Sequence, residues 1–509
     1  MEHNELEGQL TPRALSELPP AEDGVQKIDK AQARTDWFSI VLTSVMLMIF
    51  GVHMFGFAAS IWQYMKEMDD SVSEVFYGST VAMVNVGQLL ACPLFGIYST
   101  KTKQMKQPIV VGISALVLSN VLYIVVENFE VHQRRWIVLL ARFIAGVGTG
   151  AVAVLSAYVP MASLLKDRNR ATTVAFGGMS LGLIVGPGLQ LFFTPLGFPG
   201  SIGLPYPVNM YTMPAHVLLF LDALCFFVIV VLFKESTVGL LEGRAAATEG
   251  DSKKRVLPKL DSYAFLCTML MWCLALAIVS THDTLFPPYA MSIFAMDKTQ
   301  STKYVSMIYA CVGITDLVLF VLYGTIFEKR FSERVLITFG CVGFLLYHLI
   351  TYQWDVWPAV TLVDSSASGN ATELLGCDVA RFAWCETATR PHPTFLFVTT
   401  VSTALFWTTV VVPLGSLFTK VLGPRRQANY QALRTQCGAV SKLIVPILMT
   451  YLFEKRGPKS CWLLMSALIV VSLVPWLLHY KRLVPLVVRE QQRKALQTRD
   501  KEAMIDDKF

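Results

Sequence analysis

The sequence predicts an all-α polytopic membrane protein: twelve transmembrane helices arranged as two six-helix bundles. Three observations carry that expectation. Apolar stretches recur at 37–62, 73–99, 108–127, 136–165, 171–193, 213–234, 262–286, 304–327, 335–354, 394–420, 435–453 and 460–480. Each is roughly 20 residues or longer, the length a helix needs to cross about 30 Å of hydrocarbon. The composition is 54% hydrophobic and 16% charged over 509 residues, too apolar for a soluble chain of this length. The basic residues between the stretches also fall on alternate connectors. With both termini and every second loop on one side, that side holds 31 of the 43 Lys and Arg; the other holds 10, and Arg142 and Lys442 lie inside spans. The richer side is expected to face the cytosol.

Residues 1–36 are polar, contain Pro19 and Pro20 and lack an apolar signal core, so this tail is expected to be disordered and cytosolic. The first span then serves as an uncleaved signal. The N-terminal bundle is expected over 37–234, and a polar cytosolic connector over 235–260 separates it from a C-terminal bundle over 261–480. The tail 481–509 returns to the cytosol. The loop 355–393 is the longest on the opposite, lumenal side. It holds Cys377 and Cys385, the two cysteines outside the spans, and an oxidising compartment predicts a disulfide between them. The same loop carries the N-x-[ST] sequon Asn370-Ala371-Thr372, a candidate glycosylation site. The net charge of +6 is then a consequence of membrane topology and gives no reason to expect nucleic acid as a partner.

The second span of each half ends alike. Gly96 is followed five residues later by Lys101; Gly324 is followed by Glu328 and Lys329. In span 4, Arg142-Phe143-Ile144-Ala145-Gly146-Val147-Gly148-Thr149-Gly150 reads R-x-x-x-G-x-G. In span 5, Gly182-Leu183-Ile184-Val185-Gly186-Pro187 reads G-x-x-x-G-P. These features resemble the major facilitator superfamily. Thr100 departs from its loop signature, which carries an acid there, and the glycine pair often following G-x-x-x-G-P is replaced by Leu189 and Gln190. Ser60-Ile61-Trp62-Gln63-Tyr64, Asn209-Met210-Tyr211-Thr212, Leu422-Gly423-Pro424-Arg425 and Tyr480-Lys481-Arg482-Leu483 are also similar, in order, to the lysosomal family of neuronal ceroid lipofuscinosis type 7. The resemblance runs from about Ser60 to Arg489. It implies a lysosomal or late-endosomal membrane protein that moves a small solute or anion through a cavity between the bundles, with cytosolic gate loops at Gly96, Lys101, Gly324, Glu328 and Lys329. Sorting motifs are incomplete: Glu5-Leu6-Glu7-Gly8-Gln9-Leu10 has Gln9 where an acidic dileucine signal has its first leucine.

Ionisable residues within spans are costly, about 2.5–3.5 kcal/mol each on insertion scales, and therefore mark either function or buried pairs. Arg142 shares a helical face with Gly146 and Gly150. It reads as a binding or coupling cation for an anionic solute, or as half of a structural pair reached by a close-packed neighbour. His282 and Asp283 precede Pro287 and Pro288, which suggests a proton-sensing gate at a broken helix; the alternative is that both simply reach lumenal water. Asp316 and Lys442 either line the cavity or pair between helices, and Lys442 alternatively snorkels to the cytosolic surface. Asp222 in span 6 reads as structural, and His53 in span 1 is polar on a helix expected to face the cavity. Gly182, Gly186 and Pro187 suit packing, bending or a hinge.

The chain has no G-x-x-x-x-G-K-[ST], no H-E-x-x-H and no clustered metal ligands, which argues against an enzyme, an ATP-driven pump or a bound cofactor. Three functions remain: a gradient-coupled transporter of a small or anionic substrate, with protons or chloride as partners; a passive anion channel on the same scaffold; and a membrane scaffold without transport.

Overall fold

The computed structural model describes residues 34–102, 104–164, 167–200, 208–236, 238, 260–327, 330–365, 375–422 and 427–484. Asn370, Glu328, Lys329, the sorting motif Glu5–Leu10 and most of the three polar segments (1–36, 235–260 and 481–509) lie outside these residues.

Among the described residues twelve helices are long and apolar enough to span a membrane. Spans 1–6 are Trp37–Phe55, Glu74–Thr102, Lys106–Asn128, Val131–Ala162, Arg170–Leu196 and Met213–Leu232. Spans 7–12 are Ser262–Ser292, Lys298–Leu322, Glu333–Ile350, Pro393–Leu422, Leu433–Arg456 and Pro458–Leu478. Several begin at residues that satisfy orphan amide groups. Asp36 accepts from Ser39 N (3.1 Å), Asp261 from Tyr263 N (3.0 Å), and Asp297 from Gln300 N (2.7 Å). Span 6 shows why so apolar a chain is at ease here. Phe220, Leu224, Phe227 and Val231 form one helical stripe and are all exposed, a surface suited to lipid.

Three expected spans are drawn differently by the structure. Span 1 stops at Phe55, and the chain turns before a short helix, Ile61–Met68, which packs against spans 4, 7 and 8. Span 4 is interrupted between Thr149 and Val152, where Gly150 sits against Ala91 of span 2. Span 7 runs unbroken through Pro287 and Pro288 to Ser292, so the expected break is absent. A proline at 287 cannot supply an N–H to the carbonyl of Asp283, four residues earlier. That carbonyl instead accepts from the Tyr77 hydroxyl of span 2, at 3.4 Å. A neighbouring helix thus takes over the lost bond, and the helix continues.

The helices pack as a repeat. Spans 1 and 5, 2 and 4, 3 and 4, and 3 and 6 pack together, and the same pairs recur six spans later as 7 and 11, 8 and 10, 9 and 10, and 9 and 12. The halves meet through spans 2 with 11 and 5 with 8, which the same exchange of halves interconverts. Glycine sets the closest crossings. A Cβ at Gly146 would fall 2.0 Å from the Val84 carbonyl oxygen, and one at Gly182 would fall 2.3 Å from that of Met48. Gly186 meets Gly56 at the same span 1–span 5 seam, beside Pro187 of the cavity wall.

One end of the molecule is capped by the 355–393 loop. Strands Leu362–Val363 and Cys377–Asp378 pair in parallel, and Cys377 is disulfide-bonded to Cys385. Phe382 and Cys385 are buried with the C-terminal core, and Trp384 lies over Phe453 and Gly457. This is hereafter the capped end; the other is the open end.

Candidate functional site

Ionisable side chains from both halves converge at mid-height, where the bundles face one another. Span 4 supplies Arg142, span 7 Asp283 and span 11 Lys442, and all three line one cavity together with Asn85 of span 2 and Ser280 of span 7. Two hydrogen bonds cross between the halves here. Asn85 donates to the Lys442 carbonyl across the interface (3.4 Å), and the Tyr77 bond to Asp283 ties span 2 to span 7.

Arg142 is 7% exposed. Its guanidinium lies over the Phe57 ring (5.3 Å to the centroid), and its Nε has no hydrogen-bond partner among the described residues. The expectation that nearby glycines would bring it a carbonyl or carboxylate is not met. Gly146 and Gly150 instead admit Val84 and Ala91 of span 2, and the guanidinium turns to the cavity. No ion pair among the described residues includes Arg142, Asp283 or Lys442. Lys442 is half-buried with its ammonium 6.0 Å from the Phe55 ring, so it points inward and does not snorkel.

His282 and Asp283 are neighbours in sequence and divergent in space, because successive residues of a helix point about 100° apart. Asp283 faces the cavity. His282 turns into the C-terminal half, stacked on Phe286 (5.1 Å) and His348 (5.7 Å), with its Nε2 buried and without a partner among the described residues. His282 is buried and Asp283 half-buried, and the helix break expected beside them is absent. Asp316 does not pair with Lys442 either: it accepts from the Thr408 hydroxyl of span 10 at 3.1 Å. Asp222, read from the sequence as structural, bonds to His53 at 2.9 Å inside the N-terminal half, and Asn120 donates to the same carboxylate oxygen at 2.8 Å.

A second chamber adjoins the first through Phe55, Ala58 and Asp283. Its wall is mainly apolar and aromatic and includes Tyr309, Trp407, Pro187, His282 and Asp316. Sequence reasoning missed Asn85, Tyr309, Trp407 and Phe55, since an aromatic or amide residue in an apolar run looks the same toward lipid as toward a cavity. One signal was readable: the proline four residues after Asp283 frees a carbonyl that something must satisfy. Arg434 was also missed, having been counted with the loop before span 11. It is buried, its guanidinium 3.8 Å from the centroid of the Trp272 ring and its Nε unpartnered among the described residues. No group of three or more His, Cys, Asp or Glu side chains suited to a metal occurs among the described residues.

Polar contacts between the halves gather at mid-height and at the capped end. Gln63 donates to Ser301 (2.8 Å), Lys298 pairs with Glu67 (3.1 Å), and Arg381 of the capping loop reaches both Glu74 (2.8 Å) and the Val72 carbonyl (3.2 Å). Glycines with free space around them occur toward both ends: a Cβ on Gly96, Gly177, Gly324, Gly188 or Gly197 would meet nothing within 4 Å.

Comparison with known proteins agrees with this architecture. The family model described as Major Facilitator Superfamily matches residues 41–367. Major facilitator superfamily domain-containing protein 8 of Xenopus laevis is 27% identical over 485 residues, which cover 91% of this chain and 94% of that protein. Among solved structures, a D-xylose-proton symporter superposes with a TM-score of 0.61 at 14% identity, over 86% of this chain and 97% of that one. The xylose transporter XylE from E. coli in its inward open conformation also gives 0.61, at 12% identity, over 86% and 95%. At these identities the structural likeness is one of fold alone.

Proposed function

The chain belongs to the major facilitator superfamily, and from that premise we propose that it carries a small anionic solute across a lysosomal or late-endosomal membrane by alternating access, coupled to a proton gradient. The observation that carries this reading is the buried, unpaired guanidinium of Arg142 facing Asp283 and Lys442 across the seam between the halves. A cation held away from water without a counter-ion is destabilised, and an incoming anion relieves that. Asp283 is the group in the same cavity able to take up and release a proton. A site shared by two halves that rock against each other is what alternating access requires.

The compartment rests on the in-order similarity to a lysosomal family and on the skewed distribution of Lys and Arg, which would put both termini in the cytosol and the capped end in the lumen. A lumenal capped end also accords with the disulfide in its loop and with modification of Asn370. A second reading, a passive anion pathway, draws on Arg434 and Lys442, two cations about two turns apart on span 11 that form no ion pair among the described residues.

Purified protein in vesicles separates the two. Under the transport reading, anion uptake follows an imposed pH gradient, and Asp283→Asn abolishes the pH dependence while leaving exchange of unlabelled for labelled anion. Under the channel reading, current follows voltage, is indifferent to Asp283→Asn and falls with Arg142→Ala.

A further inference from the structure

The two chambers that meet at Asp283 differ in kind. With Asp283 in its ionised form, the first holds two cations and one carboxylate, one positive charge in excess. The second encloses about 110 Å³, nearly twice the roughly 60 Å³ of the first. Its wall is built from residues such as Phe286, Ile308, Val312, Phe344 and Trp407. Of the polar groups that border it, the Asp283 carboxylate at the junction and His282 Nε2 are without hydrogen-bond partners among the described residues, and others are engaged. Asp316 is bonded to Thr408 (3.1 Å), Thr400 shares a hydrogen bond with Tyr347 (3.1 Å), and Thr403 donates to the Thr400 carbonyl (2.6 Å). Away from that junction a polyhydroxylated solute would bury more hydroxyls than the apolar wall can satisfy. A bare halide would leave the chamber unfilled.

We infer that the substrate of this site is an amphipathic organic monoanion, its single charged head at Arg142 and Lys442 and its aliphatic or aromatic body in the chamber walled by Phe286, Phe344 and Trp407. The inference rests on the transport reading and adds the chemical class of the cargo. One negative charge matches the one excess positive charge. The body exchanges water for the apolar wall, a gain proportional to the area it covers. Arg434 extends the same logic toward the open end. It lies eight residues before Lys442 on span 11, hence about 12 Å away on the same face, with Gly438 between them. Its guanidinium, stacked on Trp272, is a waypoint for the head group.

The test uses the full-length protein in lipid nanodiscs and straight-chain carboxylates from acetate to hexanoate, with phenylacetate, the matching alcohols and chloride. Calorimetry should show affinity rising about three- to fourfold for each added methylene, and hexanoate binding at least tenfold more tightly than hexanol. Arg142→Gln should erase the preference for carboxylate over alcohol. Val312→Phe, which fills the chamber, should flatten the chain-length dependence; Ala404→Leu is a milder filler should that variant not fold. A flat series in the unaltered protein, alcohols bound as well as carboxylates, or a series untouched by Arg142→Gln overturns the inference. Failure of the transport reading is separable. The stated binding series without any vesicle flux retains this ligand class and removes transport. Coupled flux of chloride beside a flat carboxylate series does the reverse.

Discussion

Asp222 and Arg142 are both nearly sealed from solvent, at 0% and 7% exposure, and their surroundings differ in what they satisfy. Asp222 has His53 and Asn120 on one oxygen. Arg142 has an aromatic face and an open cavity. Truncating one member of a buried, bonded set strands the others, which costs about 3–5 kcal/mol. Asp222→Ala should therefore lower the thermal midpoint and the folded yield sharply, as read by size-exclusion of a fluorescent fusion. Arg142→Gln removes a charge that forms no ion pair among the described residues, so no partner is stranded. Its thermal midpoint should equal or exceed that of the unaltered protein even as anion binding is lost, the exchange of stability for activity common at functional sites. An equal loss of stability in both variants would show Arg142 to be a structural ion. Arg142 was legible in the sequence because a guanidinium in an apolar run has few explanations. The pairing of His53 with Asp222 was not, since 169 residues separate them and no periodicity links spans 1 and 6.

At the scale of helices, glycines that look alike in sequence have unlike consequences. Gly96 and Gly324 stand at the repeated loop ends and Gly146 within a span. Around the first two a methyl group meets nothing, whereas at Gly146 it collides with the Val84 backbone. Gly96→Ala and Gly324→Ala should be neutral or stabilising by up to about 1 kcal/mol, from helix propensity alone. Gly146→Ala must push span 2 from span 4 and should cost about 1–3 kcal/mol, checked by the same thermal assay. Loss of stability in the Gly96 variant would show that an unoccupied neighbourhood is a poor guide at this end. The twelve spans and their division into halves were legible because hydrocarbon imposes a length and a polarity on any helix that crosses it. Their ends were not. Span 1 stops short at Phe55 although the apolar run continues, because the short helix Ile61–Met68 buries that run against protein. Span 7 passes its prolines because a tyrosine some 200 residues earlier in the chain supplies the missing donor.

Across the whole molecule, the capped end is closed by a small number of charges and the loop that delivers one of them. The disulfide between Cys377 and Cys385 encloses Arg381, and burial of Phe382 and Trp384 fixes that segment to the C-terminal half. From there Arg381 crosses to Glu74 and the Val72 carbonyl of the N-terminal half. Glu74 is almost fully buried and Arg381 about one-third exposed. Nearby, burial holds the Lys66 ammonium below its ordinary range, with the Arg381 charge adding to the effect. Opening this end must therefore break a charge-assisted contact of about 1.5 kcal/mol or more, equivalent to roughly tenfold in the ratio of closed to open forms. Removing it should shift the population without altering the central site. Spin labels at Glu130 and Asp355, exposed positions on opposite halves of the capped end, report that separation. In Arg381→Ala the longer-distance component should grow several-fold, and replacing Cys377 and Cys385 together with alanine should act in the same direction by freeing the arm that carries Arg381. Arg390→Ala removes the same charge from the same loop and should leave the distribution as it was. An unchanged distribution in Arg381→Ala would mean that the apolar crossing of spans 2 and 11, where Gly78 lies against Thr450 and Pro446, holds the halves together unaided.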